Sequence, residues 1–118
     1  MIEPLIVALK QAVPMLVRSA PSTGNYLEGV LSRQDLQRCY ALLSEAFGPP
    51  AKDFGKPAMF EPAIYKVVQG LGGVRADQCL FLKPEGSQMA YAALWPWASD
   101  PVRITLKIGR TPALQQAG

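Results

Sequence analysis

The sequence predicts an α+β fold in which two to three N-terminal helices pack on one face of a C-terminal three-stranded antiparallel β-meander. Apolar residues recur at helical spacing in the first part of the chain, and from about residue 78 onward they alternate with a two-residue period. Segments rich in glycine and proline separate these elements. Because 49% of the 118 residues are apolar and 18% are charged, we expect one folded domain over residues 1–118.

The first predicted helix runs from about residue 4 to 18. Pro4 suits a first helical turn, where its missing N–H is not needed. Pro14 removes an internal hydrogen bond and crowds the carbonyl of Lys10, so we expect a kink or break near this residue. Few polar side chains lie in this helix, which favours burial on most sides or pairing with another subunit. Its stripe consists of Leu5, Leu9, Ala12 and Leu16.

Two further helices are predicted, and glycines end both of them. Residues 20 to 31 form a loop, with a short strand expected near residues 26 to 31. The second helix follows Ser32 and ends before Gly48. The third begins at Pro62 and ends at the glycines around residue 72. The apolar stripe of the second helix is Leu36, Cys39, Tyr40, Leu43 and Phe47.

The connection over residues 48–60 is long for a compact domain, and such loops are often functional. Lys52 and Lys56 flank Asp53 and Phe54, a pattern that is compatible with contact to an anion or a partner. The alternative is a surface linker stiffened by its prolines. We include Lys52, Phe54 and Lys56 among the predicted binding residues.

The last part of the chain predicts three strands joined by tight turns. Residues 78–83 are apolar on both faces, residues 84–87 suit a hairpin turn, and residues 88–95 return. Residues 102–108 alternate between an apolar face and a cationic face that carries Arg103 and Lys107. After about residue 109 the periodicity is lost, and we expect a flexible tail.

Composition excludes several classes of chemistry. The chain has no histidine, so Ser-His-Asp triads, Cys-His dyads and histidine-based zinc sites are excluded within it. Cys39 and Cys79 lack a CxxC partner, and we expect buried free thiols. The glycines at residues 70–73 close a helix, whereas a dinucleotide-binding loop opens one. We therefore predict no metal and no cofactor, and a non-catalytic protein rather than an enzyme.

Charge and hydropathy indicate location and partners. The net charge is +3, and the C-terminal end is basic because Arg103, Lys107 and Arg110 follow the last acidic residue, Asp100. The apolar segment 2–17 lacks a preceding cation and is too short for a bilayer. We expect a cytoplasmic protein with no membrane contact.

The leading functional hypothesis is a small protein-interaction or assembly module that binds a protein partner or self-associates as a homo-oligomer. Its predicted binding residues are Lys52, Phe54, Lys56, Trp97, Arg103 and Lys107. The first alternative is a nucleic-acid-associated protein, since the tryptophans of the Trp95-Pro96-Trp97 motif lie beside cations at one sheet end. A winged helix-turn-helix is disfavoured, because 48–61 is too long for its turn. The second alternative is a small enzyme that uses carboxylates.

Overall fold

The secondary structure alternates helices with strands of a single antiparallel sheet. The computed structural model of the protein describes residues 1–112. The elements are α1 (Ile2–Ala12), β1 (Met15–Ser19), β2 (Leu27–Ser32), α2 (Leu36–Phe47), α3 (Pro62–Gly70), β3 (Cys79–Glu85), β4 (Gln88–Pro96) and β5 (Arg103–Pro112). A 3₁₀ turn, Arg33–Asp35, leads into α2. The sheet order is β1-β2-β5-β4-β3, which makes five strands in this part of the chain.

The α+β class is confirmed, whereas the predicted sheet of three strands is too small. The consecutive strands β3, β4 and β5 form the expected antiparallel meander. The short strand expected near residues 26 to 31 is β2, which pairs with β5. β5 continues to Pro112, beyond the start of the predicted flexible tail near residue 109. Residues 113–118 of that predicted tail lie outside the described residues.

The second half of the first predicted helix is a strand. α1 ends at Ala12, and Val13 is extended with φ −121° and ψ 114°. Pro14 lacks an N–H and disfavours the helical region for the residue before it, so the chain leaves the helix here. The residues that follow form β1, in which Met15 pairs with Leu31 of β2. The helix therefore ends near Pro14, as expected, and the residues after the break form an outer strand of the sheet.

One face of the sheet carries the main hydrophobic core beneath α1 and α2. Each fully buried leucine or isoleucine contributes about 1.5–3 kcal/mol to stability relative to an exposed one. Both cysteines lie in this core as buried free thiols, which confirms the prediction. The core includes Ile2, Leu5, Leu9, Leu27, Cys39, Leu43, Cys79, Phe81, Leu94, Ile104, Leu106 and Ile108.

The third helix packs on the opposite face, so the prediction that all helices share one face is wrong. Val68 of α3 forms a second buried cluster with Leu80 of β3 and Ala93 of β4. This part of the second face is called the covered half-face. The neighbouring part, formed by β1, β2 and β5, is called the open half-face. Strand pairing places Leu16, Glu28, Val30, Arg103, Thr105 and Lys107 on it. Trp97 belongs to it through its contact with Thr105, and Arg18 through its contact with Trp97.

The helices are short, and none within residues 1–112 is long and apolar enough to cross a membrane.

Candidate functional site

The sheet register gathers the residues of the open half-face. Directly paired residues project to the same side of a sheet. Leu16 pairs with Val30, and Val30 pairs with Thr105, which makes one row across β1, β2 and β5. In the next row Glu28 pairs with Lys107. Three separate segments therefore contribute to one surface.

Trp97 lies at the centre of the open half-face. Its indole Nε1 donates a hydrogen bond to Oγ1 of Thr105 at 2.8 Å. The guanidinium carbons of Arg18 and Arg103 lie 5.6 and 5.5 Å from the centre of its ring. Such cation–π contacts contribute about 0.5–1 kcal/mol each at exposed sites. Arg103 also pairs with Asp100 at 3.3 Å. Trp97 thus connects β1 to β5 across the sheet.

Trp95 lies at the border between the two half-faces. Its ring packs against the cluster beneath α3, and the Lys107 ammonium lies 4.7 Å from the ring centre. Its Nε1 is buried, and within residues 1–112 it has no hydrogen-bond partner. Because cations contact both indoles, neither ring is a free platform for a stacked base.

A shallow apolar groove lies beside Arg103 near the start of β1. Leu16 is 63% exposed and Val102 58% exposed, so two aliphatic side chains at this groove face water. Its volume is about 280 Å³, and it is lined by Leu16, Val30, Leu31, Ser32, Val102 and Arg103. The groove is continuous with the outer edge of the sheet, because β1 contributes Leu16 to it.

β1 is an outer strand whose edge is bare in the part of the chain that the structure describes. It pairs with β2 alone. Val17 is 41% exposed on the opposite side of the strand from Leu16. An outer strand presents a row of unpaired N–H and C=O groups, which can accept another strand. The β1 edge therefore offers backbone hydrogen bonds together with exposed aliphatic side chains.

The other outer strand, β3, is bridged near its start by the 48–60 segment. Ala51 and Lys52 donate their backbone N–H groups to the carbonyl of Leu80 at 2.9 and 3.2 Å, and Leu80 N–H donates back to the carbonyl of Lys52 at 2.9 Å. The Lys52 ammonium donates to the carbonyls of Ala76 and Gln78 at 2.6 and 2.7 Å. Part of the 48–60 segment thus protects this edge at Leu80.

The structure separates the three predicted binding residues of the 48–60 segment. The side chain of Lys52 is buried, and this burial lowers its pKa. Phe54 packs against the main core, with its ring centre 6.3 Å from that of Tyr40. Only Lys56 is exposed. The Lys52 ammonium is committed to two internal carbonyls and faces no outside ligand.

Buried polar groups beside this segment are also internally paired. The Tyr40 hydroxyl donates to Oδ2 of Asp53 at 3.0 Å, and Cys79 Sγ lies 3.8 Å from Oδ1 of the same residue. Burial, followed by the hydrogen bond to Asp53, raises the pKa of Tyr40 to about 12. Burial raises the pKa of Cys39 and Cys79 to about 12. Both thiols are protonated near neutral pH and are weak nucleophiles.

Arg110 does not belong to the cationic surface of the open half-face. It pairs with Ala90 and so projects to the same side as the main core. Its guanidinium donates to both carboxylate oxygens of Glu3 at 2.7 and 2.9 Å and to Glu85 at 2.7 Å. The hydrogen bonds from Arg110 lower the pKa of Glu3 to about 2. This network fastens α1 to the β3–β4 hairpin.

Sequence patterns identified part of the open half-face and missed the rest. Trp97, Arg103 and Lys107 lie on this one face, as the alternation over residues 102–108 indicates. Arg18 and Leu16 were not predicted, because residues 15–19 continue the apolar spacing of the helix before them. One sequence signal could have predicted a strand here. Pro14 disfavours continuation of the helix, and a short apolar run that ends in the cation Arg18 follows it.

A comparison of the chain with protein-family models, curated proteins and solved structures finds no match. Among residues 1–112, no group of three or more Cys, Asp or Glu side chains is placed to hold a metal ion.

Proposed function

We propose that the protein is a non-catalytic protein-interaction module that binds another polypeptide along the β1 edge. The observation that carries this proposal is the asymmetry of the sheet. The β3 edge is bridged at Leu80 by Ala51 and Lys52, whereas β1 has β2 as its one strand partner within the described residues. Native proteins usually protect such edges against unwanted pairing, so an open one is a place for recognition.

The chemistry of the edge favours a polypeptide as ligand. A strand added to β1 would form backbone hydrogen bonds along its length, which is the mode of β-strand addition. The exposed side chains of Leu16, Val17 and Val102 would be buried in the process. Burial of apolar surface contributes about 25 cal/mol per Å², which adds affinity to the backbone pairing.

Nucleic-acid binding is the second candidate function, supported by the convergence of Arg18, Arg103 and Lys107 on one face. Two features make it weaker. Cations already contact both indole rings. Two of these cations have carboxylates beside them, since Asp100 pairs with Arg103 and Glu28 lies opposite Lys107. A binder of this kind should lose affinity steeply with added salt.

The carboxylate-enzyme alternative has less support. The carboxylates that come together, Glu3 and Glu85, are both neutralised by Arg110. General acid–base catalysis needs a carboxylate that can reach the reacting group and titrate near the working pH. A pKa of about 2 keeps Glu3 ionised at neutral pH.

Two measurements on the full chain test the proposed function. Sedimentation equilibrium over a wide concentration range detects self-association through β1. NMR titrations with decapeptides that alternate valine with threonine, glutamate or lysine detect strand addition. We expect at least one of these ligands, or a second copy, to shift the amide signals of Met15–Ser19.

Leu16→Ala should weaken that response, because it removes an exposed aliphatic side chain that the ligand would bury. Met59→Ala should leave it unchanged. Met59 is a suitable control because it is 80% exposed and lies outside the sheet. A monomer whose β1 signals respond to none of the three peptides would overturn the proposed function.

A further inference from the structure

Resting on the proposed function, we infer that the occupant of the β1 edge is an extended acidic segment of a different protein, in which carboxylates alternate with apolar side chains. Four arginines lie on β1 or on elements near it. Arg18 is on β1, and Arg33 is in the 3₁₀ turn that follows β2. Arg38 of α2 contacts Ala12, three residues before β1, and Arg103 starts β5. All four are exposed.

Most of this positive charge is not neutralised by the protein. Arg103 pairs with Asp100, but the other three arginines contact neutral groups. Arg18 lies over the ring of Trp97, Arg33 donates to the carbonyl of Pro101 at 2.8 Å, and Arg38 donates to the carbonyl of Ala12 at 3.1 Å. Within residues 1–112 none of these three forms a salt bridge. Three guanidinium groups therefore remain available to outside carboxylates.

The alternation along β1 determines the pattern of the ligand. Successive side chains of a strand project to opposite faces. Leu16 projects to the open half-face, and Val17 projects to the other side. The register shifts between Val17 and Ser19, and the Arg18 guanidinium lies over Trp97 on the open half-face. A strand paired with β1 would place every second side chain beside Arg18 and the intervening ones beside Val17. Carboxylates at the ligand positions beside Arg18 would complement its charge. Aliphatic side chains at the positions beside Val17 would complement the apolar side of the strand.

A second copy of the chain fits this edge less well. Antiparallel pairing of β1 with its own copy would place the Arg18 side chains of both copies along the same pair of strands. Like charges across paired strands are destabilising. A nucleic acid would also supply negative charge, but it cannot match the row of backbone N–H and C=O groups along a strand edge.

Fluorescence anisotropy with labelled decapeptides tests the inference. Each peptide alternates valine with glutamate, lysine or threonine, and each is titrated with the full chain. We expect the glutamate peptide to bind about tenfold tighter than the threonine peptide, with the lysine peptide the weakest. Added salt should reduce this difference, since exposed charges are screened. N-methylation of the glutamate peptide on its pairing edge should abolish binding.

Two arginine variants and one matched control locate the effect. Arg18→Glu should reverse the preference between the glutamate and lysine peptides, and Arg18→Gln should remove about half of the discrimination in logarithmic units. Lys66→Glu makes the same change in charge on the exposed side of α3 and should leave the order intact.

Each outcome separates the inference from the proposed function. If the threonine or lysine peptide binds as tightly as the glutamate peptide, or if β1 pairs with a second copy, the edge functions but the acidic partner is wrong. If a twelve-nucleotide oligothymidine shifts the same β1 signals with equal affinity, the inference is likewise overturned. If no peptide binds and the chain stays monomeric, the proposed function itself fails.

Discussion

The two outer strands of this sheet differ in how their edges are treated. The β3 edge is bridged at Leu80 by backbone pairing with Ala51 and Lys52, and α3 packs over the adjacent face. The β1 edge has neither cover within the described residues, and it exposes Leu16 and Val17. The 48–60 segment, which the sequence suggested as a binding loop, therefore protects an edge of the sheet. Residues 15–19, which the sequence assigned to a helix, form the accessible edge.

The largest effect should come from placing a lysine at matched positions on the two edge strands. Leu80→Lys buries an ammonium in the cluster beneath α3, where Leu80 is 3% exposed, and should cost more than about 4 kcal/mol or prevent folding. Leu16→Lys should change the free energy of unfolding by less than about 0.5 kcal/mol. Urea denaturation measures both, and similar losses would contradict the contrast between the edges.

The second effect concerns the cover of the β3 edge. Lys52→Ala removes two hydrogen bonds from a charged donor and should destabilise the protein by about 3 kcal/mol. Lys52→Met keeps most of the aliphatic volume, so a loss of similar size would assign the effect to the ammonium. Lys56→Ala is the control, since Lys56 is exposed, and should cost less than about 0.5 kcal/mol. Equal losses in the free energy of unfolding at the two lysines, measured by urea denaturation, would contradict this assignment.

A smaller effect distinguishes the two tryptophans. Trp97→Phe removes the hydrogen bond to Thr105 and weakens two cation–π contacts, for a loss of about 1–2 kcal/mol. Trp95→Phe makes the same change in size but removes a buried donor that has no partner within the described residues. Its loss should be less than about 1 kcal/mol. Thermal unfolding of the two variants should therefore rank Trp97→Phe as the less stable.

The smallest effect is the acid sensitivity of the Arg110 network at the far end of the β3–β4 hairpin. The pKa of Glu3 is lowered from 4.5 to about 2, so its contribution to stability is complete above the unfolded value and is lost as the pH falls from about 4.5 towards 2. Urea midpoints measured between pH 7 and pH 2.5 should fall less in Glu3→Gln than in the natural chain. Parallel curves would show that Glu3 contributes nothing to this dependence.

The sequence predicted elements whose pattern is local and missed those that depend on distant pairing. Residues 102–108 alternate, so their strand and its cationic face followed directly from the spacing. Residues 15–19 fit the preceding helical stripe equally well, and pairing with β2 decides their conformation. The amphipathic pattern of α3 indicates one buried side but not which sheet face it covers.

The candidate site shows the same division. Trp97 and Arg103 are six residues apart on adjoining segments, and their proximity was expected. Arg18 contacts the same indole from β1, which β2 and β5 separate from β4. This contact depends on the order of the strands in the sheet, which the sequence pattern does not give. Lys52 finds its carbonyl partners 24 and 26 residues away, which no local pattern reveals.

An exposed aliphatic strand also affects how the protein behaves at high concentration. Arg18 on this strand should oppose the pairing of copies through mutual repulsion, as charged residues do beside other aggregation-prone strands. That repulsion weakens when ionic strength rises. Storage in dilute buffer should therefore keep the protein dispersed, whereas concentrated salt should favour precipitation.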